Sequence, residues 1–398
     1  MLSGMSTTRK AYPMSKLSRQ EYLTVMRRNY TKAGKKERGE ILSDVVDITG
    51  YHRTYAAQLL RSPPLKRQAR RTRQRADTYT RETKQAVIIL WRAANGIAAE
   101  RLHPFMPVLL DKMTACGELA VTDAAEIQLR QISLATVKRI VQGEKHRSTV
   151  RIGGTTKPGS LLKRQITVRY GRWDETTPGW CETDTVAHCG ETLVGTFIYS
   201  LNVVDIASGW SEQVAILGKG ERHVTEGMEA LRQRLPFPLL GLDSDNGSEF
   251  INYSMLAYAK KHAITLTRSR PYKKNDNAHV EQKNWTAIRQ LVGYERLDTE
   301  QQLDILNDLY VNEWRLYVNF FQPTMKVKET TKDQVTGKKT KRYYEAKTPH
   351  QRLMEHPDVP QTTKGLLQST YDSLNPIQLQ DDIQKKLTRL RKTFRKDF

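Results

Sequence analysis

The sequence predicts a multidomain chain of the α + α/β kind: helical towards its amino end, a mixed sheet in the middle, and a small tail of hairpin and helices. Three observations predict it. Apolar residues recur at helical spacing before residue 142, as in Tyr22, Val25, Met26 and Tyr30. Between 180 and 245 the pattern changes to three short strand-like runs, a helix and a fourth strand. Beyond 321 the chain turns basic and then returns to helical periodicity.

The amino-terminal helices come in two groups. In the first, at 1–62, helices are expected from Ser18, over 35–46 and over 51–61, the last two joined by Asp47, Ile48, Thr49 and Gly50. Two helices on a tight Gly-containing turn are the plan of a helix-turn-helix, with Arg53 and Thr54 near the start of the reading helix. A basic arm spans 63–80; its Arg70, Arg71 and Arg73 belong to a run too charged to pack and suited to phosphates. The second group, at 81–142, begins with Val87, Leu90 and Trp91 on one face. Asp123 and Glu126 have the spacing of a capping box, and Ser133 caps a helix that turns Lys138 and Arg139 outward. This again reads as a helix-turn-helix. A basic linker follows at 143–178.

In the region 179–320, strands are expected at 180–188, 195–205, 210–217 and 239–245, with a helix at 221–234. The apolar run Leu239, Leu240, Gly241, Leu242 breaks at Asp245, Asn246 and Gly247, which puts Asp245 at the carboxyl end of a strand, where open α/β sheets hold their sites. A helix is expected from Ser248 to His262, a strand over Ile264 to Thr267, and a helix carrying Glu281 beyond the basic loop of Lys273 and Lys274. Lys283 and Arg289 on that last helix are candidate phosphate contacts. The tail, 321–398, holds a basic hairpin turning at Thr336 and Gly337. Its last helix has an apolar stripe of Leu379, Ile383, Leu387, Leu390 and Phe394, suited to a partner's core or to its own domain.

The 398 residues carry 65 Lys and Arg against 43 Asp and Glu, a net charge of +22 that points to a polyanionic partner. Cys116, Cys181 and Cys189 form no Cys-x-x-Cys pair, which excludes a disulfide framework and a zinc ribbon. No apolar run has the length of a membrane span and no secretory signal opens the chain, so a cytoplasmic, nucleoid-associated protein is expected.

Asp184 in Glu-Thr-Asp-Thr, Asp245 in Ser-Asp-Asn-Gly-Ser-Glu-Phe, and Glu281 after 35 intervening residues resemble the Asp-Asp-Glu core of retroviral-integrase-like transposases. The resemblance covers 179–320 best. It implies a ribonuclease-H-like core and an insertion-sequence DNA transposase that binds element ends, cleaves their 3′ ends and joins them to target DNA. It further implies two Mg²⁺ ions about 3.5–4 Å apart, with Mn²⁺ able to substitute. Asp184 would bridge them, Asp245 hold one and Glu281 the other. The partners implied are double-stranded DNA, as terminal inverted repeats and target, and further copies of this chain assembled on it. Glu182, Asp243 and Glu249 compete for the acidic roles and Asp205 reads as structural. The retroviral members' His-His-Cys-Cys zinc module has no counterpart here. A DNA-binding regulator with an inactive core, or a ribonuclease-H-like nuclease, are the alternative readings.

Overall fold

The computed structural model describes residues 14–62, 78–145, 167–168, 176–245, 247, 249–269, 278–334 and 336–394. The basic arm with Arg70, Arg71 and Arg73, most of the linker, Asn246, and the loop holding Lys273 and Lys274 lie outside these residues. The chain divides into two compact units, 1–77 and 78–398.

The described residues of the first unit form α1 (Lys16–Lys32), α2 (Lys35–Thr49) and α3 (Arg53–Arg61). Gly50, in the left-handed region at φ 70°, ends α2 as a β-carbon would resist. Leu23, Tyr30, Val45, Ala56 and Leu60 form a core of their own.

The second unit opens with α4 (Arg81–Ala93), α5 (Ala99–Ala115), α6 (Asp123–Gln131) and α7 (Leu134–Lys145). The sequence pattern gave no helix α5, because Pro104 and Pro107 stand inside it. Thr122, not Asp123, caps α6: its hydroxyl accepts the Ala125 N–H and itself donates to Glu82. Asp123 is already the first helical residue.

A six-stranded mixed sheet follows: β1 (Thr167–Val168), β2 (Trp180–Ala187), β3 (Ile198–Asp205), β4 (Ser211–Leu217), then α8 (Glu221–Arg234), β5 (Gly241–Ser244), α9 (Tyr253–Lys261) and β6 (Thr265–Arg268). Its order is β1-β6-β5-β2-β3-β4. β2, β3 and β4 run antiparallel to one another, and β5 and β6 are parallel to β2. Successive side chains alternate between faces. One face, with Cys181, Leu201, Val203 and Ile216, packs under Val224, Met228, Phe250 and Met255 from the α8 and α9 side. Helix α9 starts five residues later than its apolar pattern suggests. The Asn252 side chain accepts the Met255 N–H at 2.8 Å, capping the helix there and leaving Glu249 in a turn.

Further helices cover the opposite face. They are α10 (Ala278–Lys283), continued as a π-helical turn over Asn284–Arg289 and α11 (Gln290–Val292), then α12 (Glu300–Leu309), a second π-helical stretch over Tyr310–Trp314, and α13 (Arg315–Phe321). Edge strand β4 is closed by two asparagines on these helices. Asn307 exchanges both hydrogen bonds with the Ala215 backbone and Asn319 both with Ser211, at 2.8–3.0 Å, so each amide acts as one residue of a missing strand.

The hairpin β7 (Val327–Lys332) and β8 (Lys339–Tyr343) is exposed throughout. After it come α14 (Pro349–Glu355), α15 (Gln361–Ser373) and α16 (Pro376–Arg391). The stripe Leu379, Ile383, Leu387 and Leu390 is buried in the same core as Leu90, Leu102, Phe105, Leu306 and Phe321. Of the two uses the sequence leaves open for it, the structure takes packing within its own unit. No helix among the described residues is long and apolar enough to cross a membrane.

Candidate active site

The polar face of the sheet gathers the acidic residues. Parallel pairing sets Glu182 beside Asp243 and Thr183 beside Ser244, so the next step along both strands brings Asp184 level with Asp245. Asp245 follows the last residue of β5, free of the ladder. Its Oδ1 accepts the Gly247 N–H at 2.8 Å, and a β-carbon at Gly247 would stand 2.8 Å from that oxygen and 2.7 Å from Glu249 Oε2, so the two carboxylates would have to shift.

Asp184 is held at both oxygens. Oδ1 accepts the Thr185 N–H at 2.7 Å, and Oδ2 accepts Nδ2 of Asn284 at 2.7 Å, which leaves each oxygen a further acceptor position. Burial, and after it the like charge of Asp245, pushes the Asp184 carboxyl up to about 7. Burial raises Asp245 as well, Glu249 adding to the effect and the Lys219 ammonium opposing it. Glu249 accepts the Thr185 hydroxyl at 3.2 Å and stands 3.5 Å from Lys219 Nζ. It is thus the third acid in the field of both aspartates, as its place among the competing acids anticipates, though it stands in a turn and not in a helix.

Glu281 lies exposed in the first turn of α10, one helical turn before Asn284. The competing acids have structural partners. Glu182, buried at 2 % exposure, accepts the N–H groups of His279 and Val280 at 3.0 Å each, closing the amino end of α10. Asp243 accepts the Thr267 hydroxyl at 2.5 Å, and Asp205 accepts Gly179 N–H at 2.8 Å and Ser208 N–H at 2.6 Å.

Among the described residues no group of three or more His, Cys, Asp or Glu side chains stands close enough to hold a metal ion. The pair Asp184 and Asp245 nonetheless fits a hard divalent cation in its chemistry. Both donors are half-buried carboxylates standing level on adjacent strands, and loss of solvent raises the proton affinity of each.

The basic candidates fall into different settings. Arg53 and Thr54 are exposed at the start of α3, where Arg53 donates to the Ser43 hydroxyl at 3.0 Å. Lys138 and Arg139 are exposed on α7, Lys138 paired with Glu100 at 2.7 Å. Lys283 departs from its expected solvated face. It is 7 % exposed, and burial, with the neighbouring Arg352 and Arg101, pushes its ammonium down to about 7. An ammonium in that position is shielded from a DNA backbone. Arg289 is half-buried, its guanidinium 4.8 Å from the centre of the Tyr294 ring.

Three amides that the sequence reading did not single out complete the site. Asn284 donates to Asp184, Asn202 Nδ2 donates to Asn284 Oδ1 at 2.9 Å, and Gln213 Nε2 donates to Asn202 Oδ1 at 2.9 Å. Asn202 and Gln213 in strand interiors carry no sequence signal of this kind, because their meaning depends on cross-strand register, and Asn284 depends on how its helical segment packs on the sheet.

No family model matches the chain. It is 34 % identical over 355 residues, covering 88 % of this chain and 96 % of the other, to the uncharacterized protein y4rM of Sinorhizobium fredii (strain NBRC 101917 / NGR234). Solved structures similar to it include the catalytic core domain of BIV integrase (18 % identity, 44 % of this chain and 91 % of that one, TM-score 0.29). Another is the simian T-cell lymphotropic virus intasome in complex with PP2A regulatory subunit B56 gamma (15 %, 64 % and 76 %, TM-score 0.33). A third is the HTLV-2 integrase catalytic core domain in complex with magnesium (16 %, 40 % and 92 %, TM-score 0.28).

Proposed function

Starting from the fact that this chain belongs to the family of the Sinorhizobium fredii protein y4rM, we propose that it is a DNA transposase, a polynucleotidyl transferase that cleaves and joins DNA strands. One observation carries the reading. Asp184, within β2, stands level with Asp245, which follows the last residue of the adjacent parallel strand β5, and Asn284, from the helical segment that carries Glu281, binds Asp184. The net charge of +22 supports a DNA substrate.

In this reading Asp184, Asp245 and Glu281 hold divalent ions, Mg²⁺ or Mn²⁺. When bound, these supply activation of the attacking oxygen and stabilisation of the leaving one. The protein's own share is positional. Thr185 and Asn284 fix the Asp184 carboxylate, Gly247 fixes that of Asp245, and Glu182 fixes the helix bearing Glu281. The reaction is an in-line displacement at phosphorus, with water as nucleophile at the element end and the freed 3′-hydroxyl as nucleophile on the target. It requires no Ser, Cys or Tyr nucleophile.

The pairs α2–α3 and α6–α7 serve as helix-turn-helix readers through Arg53, Thr54, Lys138 and Arg139. Arg70, Arg71, Arg73, Lys273 and Lys274 hold phosphates, so binding weakens steeply with salt. Joining two ends to one target calls for at least two copies of the chain on DNA.

The test is strand cleavage and joining in Mg²⁺ on duplexes taken from the DNA that flanks the gene. The wild type performs both steps, while Asp184→Asn, Asp245→Asn and Glu281→Gln bind the duplex and perform neither. Strand transfer at wild-type rate by Asp245→Asn would end this assignment. Cleavage without joining would indicate a nuclease, and specific binding without either step a regulator.

A further inference from the structure

We propose that Asn202 and Gln213 are positioning residues for Asp184, acting through Asn284. The inference rests on the reading of Asp184 as a carboxylate that holds a divalent ion.

The three amides form a one-way chain. β2, β3 and β4 pair so that Asp184 stands opposite Asn202, and Asn202 opposite Gln213, all on one face of the sheet. Gln213 donates to Asn202 at 2.9 Å, Asn202 to Asn284 at 2.9 Å, and Asn284 to Asp184 at 2.7 Å. An ionised carboxylate only accepts, so Asn284 must present its NH₂ to Asp184 and its carbonyl to Asn202. Asn202 must then present its NH₂ to Asn284, and Gln213 its NH₂ to Asn202. The anion orients every amide behind it, and the aligned dipoles strengthen the final bond.

The far end is consistent with this. Gln213 Oε1 is buried and has no hydrogen-bond partner among the described residues, so its orientation is set from the Asp184 side. Asn202 is fully buried and Gln213 is 1 % exposed, which leaves their polar groups few alternatives. The effect on Asp184 is geometric. With Thr185 N–H on Oδ1 and Asn284 on Oδ2, the carboxylate plane is fixed and each oxygen keeps an open acceptor position for a cation.

The chain of donors makes an unusual forecast about two variants of one remote residue. Gln213→Met keeps the volume and removes the donor. Gln213→Glu keeps the shape and replaces the donor with an acceptor, which turns Asn202, and then Asn284, the wrong way round. A residue that serves packing alone would leave Mn²⁺ affinity alike in the two folded variants, a buried Glu costing only stability. The proposal requires affinity to fall in both, and further in Gln213→Glu.

The experiment is titration of the full chain with Mn²⁺ alone, followed by electron paramagnetic resonance at neutral pH, with a thermal melt of each variant. Gln213→Met should weaken Mn²⁺ binding about 10-fold, as loss of groups that orient metal ligands typically does, and Gln213→Glu should weaken it further. In ¹⁵N-asparagine-labelled protein, the Asn284 side-chain amide, identified by its loss in Asn284→Ser, should shift in Gln213→Met. That shift reads the relay in the folded molecule independently of metal.

Mn²⁺ affinity unchanged in both Gln213 variants, or Gln213→Glu binding more tightly than Gln213→Met, overturns the proposal. An unmoved Asn284 signal does so as well. No Mn²⁺ binding by the wild type is a separate result: it removes the metal-holding reading of Asp184, and the relay's purpose with it.

Discussion

Glu182 Oε2 accepts the backbone N–H of Val280 at 3.0 Å, so the strand that carries Asp184 also anchors the helix that carries Glu281. The buried carboxylate takes the His279 N–H as well, and so satisfies two of the donors that a helix start leaves open. Glu182→Ala should cost about 1–3 kcal/mol of stability, the range for a buried hydrogen-bond acceptor lost to its donors. Glu182→Gln keeps an accepting oxygen and should cost less. Urea unfolding of the three proteins decides it, and an alanine variant as stable as the wild type refutes the anchoring role.

Stability should fall as pH rises through the range in which Asp184 titrates. Its carboxyl moves from an ordinary 3.8 to about 7 on folding, so between those values the folded chain holds a proton that the unfolded chain has released. Protein kept in a metal chelator should therefore melt progressively lower from about pH 4 to pH 7, with no further fall from this carboxyl above that. Mg²⁺ should raise the melting temperature more at pH 8 than at pH 5, where a proton occupies the carboxylate. Asp184→Asn should lose both dependences. Calorimetric scans with and without Mg²⁺ supply the check.

Lys283 costs the fold stability in the opposite pH direction. Its ammonium falls from an ordinary 10.5 to about 7, so below pH 7 a buried charge is carried at full cost. Between pH 7 and 10.5 the unfolded chain keeps a proton that the folded chain gives up, and stability rises with pH. Lys283→Met should stabilise the protein by about 1–3 kcal/mol near pH 6, the gain fading towards pH 10. DNA binding should be unaltered, since the side chain is buried. A variant less stable than the wild type at pH 6 would indicate an anion at this site.

Glu212 is fully buried and takes both Nε and Nη2 of Arg315 at 2.9–3.0 Å, with Trp210 Nε1 also donating at 2.9 Å. Removing Arg315 leaves that charge with Arg234, whose Nε stands 3.6 Å from Oε2, and with the Trp210 donor. Arg315→Leu should lower stability by about 1–3 kcal/mol, the cost of donors lost to a buried acceptor, and by less when Glu212→Leu is already present. A double-mutant cycle measured in guanidinium gives the coupling directly.

The strands from Trp180 to Arg268 are legible in the sequence because their apolar runs are short and bounded by turn residues. The place of Asp245 just past a strand and that of Glu281 in the first turn of a helix are legible because an Asn-Gly break and a helix start mark them. Glu182 and Asp243 are indistinguishable from site residues in sequence, since only the strand register reveals that one caps a helix and the other bonds Thr267. Lys283 looks solvated because a short helix does not declare which side will be covered by residues as remote as Arg101 and Arg352. Asn307 and Asn319 close a sheet edge, and nothing in a linear pattern distinguishes such asparagines from surface ones.

The way α16 is seated bears on how the protein is made. Gln380 Nε2 donates to the Ala93 carbonyl at 3.1 Å and to the Tyr317 hydroxyl at 2.7 Å, joining segments almost 300 residues apart. The core around Leu90, Leu306 and Phe321 closes only when Leu379, Ile383 and Leu387 arrive. A ribosome that has not yet released those residues carries a nascent chain with an open apolar groove, whose long-range contacts make closure slow. The amino-terminal unit, with its separate core, has no such dependence. Translation that stops short of residue 376 would therefore yield a folded first unit tethered to an unfinished remainder, a product open to proteolysis and aggregation.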